Sequence, residues 1–178
     1  MAIASALFGD NKCIGGHYSI GFYKIIFHED FDFYFKFAIC RNPWDRLVSA
    51  FHFLKAGGMY SGDRIWANNN LAEYHNFSEF VMRWVNKKNI YRKIHFVPQY
   101  EFICDSKGVI AVDFLGEFEK IDEAFHFISS QLGLKGRKLM RSNTTARNTD
   151  YRSYYGAREV EIVAEVYRRD IELFNYEF

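Results

Sequence analysis

Apolar positions along this chain fall into short runs and longer helical stripes. Residues 19 to 27 are apolar and aromatic and fit a short helix or strand. Phe35-Lys36-Phe37-Ala38-Ile39-Cys40 carries the aromatics and isoleucine that favour a buried strand. Pro43 to about Lys55 reads as a helix ended by Gly57-Gly58. Met59 to about Asn76 is polar, with Gly62 and the run Asn68-Asn69-Asn70. It reads as a long surface loop of the kind that contacts substrate. Phe77 to Asn86 predicts a helix capped by Ser78, with Glu79 in its first turn. Tyr100 to Cys104 and Val109 to Leu115 are expected as strands joined by the turn Asp105-Ser106-Lys107-Gly108. Ile121 to Leu132 places Ile121, Phe125, Ile128 and Leu132 on one helical face and stops at Gly133. Arg137 to Arg152 reads as a basic loop. Gly156 to about Phe174 reads as one long helix facing the core with Val160, Val163, Val166 or Tyr167, and Ile171. Strands interleaved with helices predict an α/β fold with a largely parallel sheet.

Composition narrows the function. The chain has 178 residues, 49% of them hydrophobic and 19% aromatic, enough for one domain with a real core. Its formal net charge is +1, so nothing global points to nucleic acid, and any preference for anions must come from local basic clusters. The three cysteines Cys13, Cys40 and Cys104 show neither metal-site spacing nor a disulfide framework, which favours a reducing, cytoplasmic setting. The histidines His28, His52, His75, His95 and His126 likewise lack the spacing of a metal site, so no metal is expected. No apolar run reaches the ~18 residues that a membrane span needs, and the first residues lack the basic start of a signal peptide. The sequons at Asn76 and Asn143 are read as unglycosylated. Nothing in the sequence fixes the oligomeric state.

The chemistry concentrates in Arg41-Asn42-Pro43-Trp44-Asp45-Arg46-Leu47-Val48-Ser49-Ala50-Phe51. Asn42 suits a helix N-cap and Pro43 the first helical position. Arg41 therefore stands at the carboxyl end of a strand, where open α/β sheets bind ligands. The helix start favours an anion. Ser49 follows Asn42 by about two turns, and Arg46 shares that face. Arg41 can fork onto a phosphate and Ser49 can add a hydroxyl donor.

This string resembles the 3′-phosphate-binding motif of sulfotransferases that use 3′-phosphoadenosine-5′-phosphosulfate (PAPS), in which an arginine ends a strand and a serine follows eight residues later. Arg41, Pro43, Arg46 and Ser49 match it. Gly15-Gly16-His17-Tyr18-Ser19 resembles a Gly-His-x-Ser element of the heparan-uronyl carbohydrate sulfotransferases, which makes His17 the candidate catalytic base. Pro98-Gln99-Tyr100-Glu101-Phe102-Ile103 and Gly116-Glu117-Phe118-Glu119-Lys120-Ile121 also resemble segments of that family and are given structural roles, with Glu119 capping the helix that follows. Arg141-Ser142-Asn143-Thr144-Thr145-Ala146-Arg147 resembles its nucleotide-contacting loop, with Arg141, Thr145 and Arg147 as candidates. The chain's ending, Tyr167 to Tyr176, resembles the family's close and is assigned to packing.

The resemblance runs from about Gly15 to Phe178 and implies one sulfotransferase-like domain over residues 1–178, with a P-loop-like parallel sheet flanked by helices. It implies PAPS as cosubstrate and a hydroxyl acceptor, expected to be a carbohydrate. The family's Pro-Lys-x-Gly-Ser/Thr loop, which holds the 5′-phosphosulfate, has no match; Lys12 followed by Gly15 is a faint echo. The domain is accordingly expected to be incomplete at its N-terminal side, without the first strand and its loop. Two alternatives stay open: a catalyst whose clamp is supplied elsewhere, or a non-catalytic nucleotide- or sugar-binding module.

Overall fold

The computed structural model describes residues 17–134, 136, 138–139 and 147–178. The chain divides into two compact units, Met1–Arg41 with Gln99–Thr144, and Asn42–Pro98 with Thr145–Phe178.

In the first unit, helix α1 (Ile20–Phe27) starts at Ser19, whose hydroxyl accepts from the Phe22 amide. Strand β1 (Phe37–Cys40) pairs in parallel with β2 (Phe114–Glu117), Phe37 opposite Phe114 and Cys40 opposite Glu117. These two strands form the sheet of the described residues, and with the helices they make a mixed α/β fold. Helix α6 (Ile121–Gln131) covers the sheet. Its Phe125 and Ile128 are buried against Phe37, Ile39, Phe114 and Leu132, the face that its periodicity predicts. Gly116 makes this approach possible, because a Cβ there would stand 2.7 Å from Ile39 Cδ1 and 2.8 Å from Ala124 Cβ.

Two elements of this unit differ from expectation. Tyr100 to Ile103 is a one-turn helix, α5, not a strand. Phe102 N–H donates to the Gln99 carbonyl and Cys104 N–H to that of Tyr100, so local turn bonds override the β preference of Tyr, Phe and Ile. Strand β2 begins at Phe114 rather than Val109, because the preceding backbone is engaged otherwise. The Val109 carbonyl accepts from Asp105 N–H, and Ala111 N–H donates to Ile103. The turn at 105–108 is as read, with Gly108 at φ 80° and the Asp105 carboxylate accepting from the amides of Lys107 and Val109.

The second unit is helical, with an aromatic core. Helix α2 (Pro43–Lys55) buries Trp44, Leu47, Val48, Ala50, Phe51 and Leu54. Residues expected as a loop contain helix α3 (Ser61–Asn70). Its polar sequence hides an i, i+4 pair, Ala67 and Leu71, both buried, and buried Asp63 pairs with Lys93 at 2.7 Å. Helix α4 (Phe77–Trp84) is capped by Asn76, whose side-chain oxygen accepts from the Glu79 amide at 2.8 Å. The expected cap, Ser78, instead donates its hydroxyl to the Glu159 carboxylate. The long C-terminal helix is two, α7 (Ala157–Val166) and α8 (Arg168–Phe174). The break falls at Tyr167, which is buried and donates its hydroxyl to the Phe96 carbonyl at 2.8 Å.

Candidate functional site

Arg41 follows β1 directly, as the motif requires. Its peptide is held from both sides by one side chain. Arg41 N–H donates to Gln99 Oε1 at 2.9 Å, and Gln99 Nε2 donates to the Arg41 carbonyl at 2.8 Å. The guanidinium lies 4.3 Å from the centroid of the Phe118 ring, a cation–π contact that supports its plane. Three residues along from Gln99, Phe102 meets the ring of His17 at 6.2 Å between centroids. Gln99 and Phe102 share a face of the α5 turn, so one short helix anchors the peptide of Arg41 and contacts the candidate base. His17 itself is exposed. The Pro-Gln-x-x-Phe segment thus has a positioning role that no local pattern disclosed, since Gln99 acts 58 positions away in sequence.

Asn42 belongs to the second unit and caps α2 as predicted, Oδ1 accepting from Trp44 N–H at 3.0 Å. Its amide donates to the Glu177 carbonyl at 2.8 Å and to the Tyr151 hydroxyl at 3.3 Å. The Tyr155 hydroxyl donates to the Trp44 carbonyl at 2.8 Å, and burial pushes the pKa of that phenol well up. The start of α2 is therefore fixed by the C-terminal segments of its own unit. Ser49 is half-buried two turns further along.

Arg147 is also brought to this helix. Its guanidinium pairs with Asp45 at 2.7 Å, both side chains largely buried, and donates to the Asn148 carbonyl. Asp45 is the partner that the sequence reading passed over. An acid in the first turn of a helix was the available signal. His52, half-buried with its ring 5.0 Å from that of Tyr154, has its pKa lowered by burial and then by the Arg147 charge. Arg141, Thr145 and Lys12 lie outside the described residues. Glu119 does not occupy the expected cap. It sits in the 3-10 turn Phe118–Lys120, and the cap position of α6 is Lys120, with no side-chain cap bond.

The sequence pattern described as the sulfotransferase family matches residues 23–177. The chain belongs to the sulfotransferase family. The match includes the whole stretch from Arg41 to Phe51, the Pro98–Ile103 segment and Arg147. A protein of Archaeoglobus fulgidus described as uncharacterized is 35% identical over 117 residues, which span 65% of this sulfotransferase-family chain and 82% of that relative. No solved structure matches the chain. Among the described residues, no helix is long and apolar enough to cross a membrane.

Proposed function

We propose that the chain moves a sulfonyl group from PAPS to a hydroxyl on a P-loop-like scaffold. Family membership supports sulfonyl transfer. The observation that carries the choice of PAPS is the fixed peptide of Arg41 at the end of β1, followed at once by the capped start of α2. In this reading Arg41 forks onto the 3′-phosphate, Ser49 donates its hydroxyl, and Arg147, Arg141 and Thr145 wrap the nucleotide. His17 takes the proton of the acceptor as its oxygen attacks sulfur. The bond from sulfur to the bridging phosphate oxygen breaks, and the electron pair leaves with 3′,5′-adenosine bisphosphate (PAP). Resemblance to the heparan-uronyl enzymes favours a carbohydrate acceptor.

Calorimetric titration with PAP, with AMP as the control lacking the 3′-phosphate, tests the nucleotide assignment. PAP binding at least ten-fold tighter than AMP is expected, and Arg41→Ala removes most of that difference. Equal affinity for the two nucleotides refutes the 3′-phosphate cradle. PAP binding without any transfer of sulfonyl to alcohols or sugars leaves the alternative, a nucleotide-binding module.

A further inference from the structure

Residues 175–178 follow α8 and return to the start of α2. Asn175 ends α8 in the left-handed region, at φ 54°, and the Tyr176 amide donates to the Ile171 carbonyl at 3.0 Å. Such a stop turns the chain aside from the helix axis. Glu177 then offers its carbonyl to the Asn42 carboxamide, Nδ2 donating at 2.8 Å. The Phe178 ring meets three aromatic rings of the same unit edge-on. Its centroid lies 5.6 Å from that of Trp44, 5.8 Å from that of Tyr151 and 5.4 Å from that of Tyr155. Edge-to-face pairs at these spacings are favourable beyond the area they bury. The Arg152 guanidinium adds a cation–π contact to both Tyr151 and Phe178, at 4.7 and 5.8 Å. The socket is held by bonds of its own. Trp44 Nε1 donates to the Val160 carbonyl at 3.2 Å, and the Tyr155 hydroxyl donates to the Trp44 carbonyl.

Asn42 is where this docking takes effect. A carboxamide has an acceptor at one end and donors at the other. Oδ1 faces the Trp44 amide, and Nδ2 faces the Glu177 carbonyl and the Tyr151 hydroxyl. Turned over, the side chain would set its NH2 against the Trp44 N–H and its oxygen against the Glu177 carbonyl. Both meetings are repulsive. The Tyr151 hydroxyl donates or accepts equally well, so it does not discriminate between the two orientations. The Glu177 carbonyl does. Asn42 is buried, which keeps bulk water from serving as a substitute acceptor.

We infer that Phe178 is a positioning residue for the 3′-phosphate of the nucleotide. Its ring anchors the Glu177 carbonyl, the carbonyl orients the Asn42 cap, and the cap holds the first N–H groups of α2, the end that favours an anion. The inference rests on the reading of the chain as a PAPS-dependent transferase. The family match ends at residue 177, one position before the anchoring ring.

The test compares the full chain with its variants Phe178→Ala and Phe178→Tyr, at a position 37% exposed and so tolerant of change. Hydrogen exchange at the Trp44 amide, measured without nucleotide, reads the cap. Calorimetry with PAP and with AMP reads the phosphate. Losing a helix cap corresponds to about a five-fold change in an equilibrium constant. In Phe178→Ala, exchange at Trp44 is expected to quicken by about that factor. PAP affinity falls by a similar factor and AMP affinity holds. Phe178→Tyr, which keeps the ring, restores both readouts. A merely structural role would lower stability and leave the ratio of PAP to AMP affinity of the folded chain unchanged. An alanine variant with parental exchange at Trp44 overturns the link from Phe178 to the cap. Faster exchange with an unchanged ratio overturns the role toward the phosphate and leaves the nucleotide reading standing. A parent chain that binds PAP no tighter than AMP overturns the nucleotide reading and the phosphate role with it, and the exchange readout then still decides whether Phe178 sets the cap.

Discussion

Gln99→Leu removes both hydrogen bonds on the Arg41 peptide while keeping a side chain of similar size. The two bonds, at 2.9 and 2.8 Å, satisfy one backbone donor and one backbone acceptor at the end of β1. A buried polar group left without a partner costs about 1–3 kcal/mol. Arg41 is half-buried, so water reaches the vacated positions in part and each loss falls near the low end, about 2 kcal/mol for the pair. The functional effect is expected to be larger than that of an ordinary destabilising change, because the peptide that relaxes carries Arg41, the arginine proposed to hold the 3′-phosphate. A displacement of about 1 Å in a positioning group can cost on the order of 100-fold. PAP affinity is therefore expected to fall at least ten-fold in a variant that is still folded. Urea denaturation followed by tyrosine fluorescence and circular dichroism gives the stability loss, and calorimetry below the transition gives the PAP affinity. Stability within about 0.5 kcal/mol of the parent, together with unchanged PAP affinity, would refute the clamp and its role.

Three further outcomes follow from the packing. Gly116→Ala forces a methyl against Ile39 and Ala124 and should cost about 1–3 kcal/mol in urea denaturation, whereas Gly62→Ala, with open space at its Cβ, should not destabilise. Arg147→Ala removes the ion pair to Asp45, which is only 14% exposed; a loss of about 1–3 kcal/mol is expected, and a loss under about 0.5 kcal/mol would show the pair to be idle. His52 has a folded-state pKa below its ordinary 6.5, so the unfolded chain binds the proton more readily. Its contribution to stability is present above pH 6.5 and is lost as pH falls through the folded value. His52→Leu should flatten stability against pH over that acid limb, and Arg147→Ala should raise the His52 pKa in a titration followed by NMR.

Legibility in the sequence followed the range of the forces involved. Helix α6 was readable because its periodicity reports a buried face, and strand β1 because its aromatics and isoleucine favour a strand. Asn42 and Pro43 were readable because a helix cap is a local device. Helix α3 was not, since its apolar contacts are spaced among asparagines and its buried Asp63 is neutralised by Lys93, distant in sequence. The α5 turn was misread because Tyr, Phe and Ile carry a β preference that Gln99-centred turn bonds override. At the site, Arg41 and Ser49 were nominated by the motif itself. Gln99 and Asp45 act across 58 and 102 positions of sequence; the acid in the first turn of α2 marked Asp45 as a residue of interest, but nothing in one sequence named the distant partner of either.

How β1 and β2 keep their register is a separate physical question, because four-residue strands give few ladder bonds and a two-stranded sheet is weak by itself. Beyond the ladder, the register is locked at one end by a reciprocal tie between Lys36 and Asp113. The Asp113 carboxylate accepts from Lys36 N–H at 2.7 Å and meets the Lys36 ammonium at 3.0 Å. In return the Lys36 carbonyl accepts from the amides of Asp113 and Phe114, at 2.8 and 3.1 Å. These bonds stand one residue before the first ladder pair, Phe37 with Phe114, and they permit only that alignment. The bond from Lys36 N–H and then that from the ammonium lower the Asp113 pKa below its ordinary 3.8. The stabilisation is therefore present above pH 3.8 and is lost as pH falls through the lower folded value. Asp113→Asn keeps an acceptor for the Lys36 amide and surrenders the charge. Because Asp113 is 46% exposed, that change should be nearly silent at neutral pH. Asp113→Ala loses the backbone bond as well and should cost about 1 kcal/mol. Hydrogen exchange at the β1 amides separates the two substitutions: protection falls in the alanine variant and holds in the asparagine variant. Equal protection in both would assign the register to the packing of α6 and not to the tie.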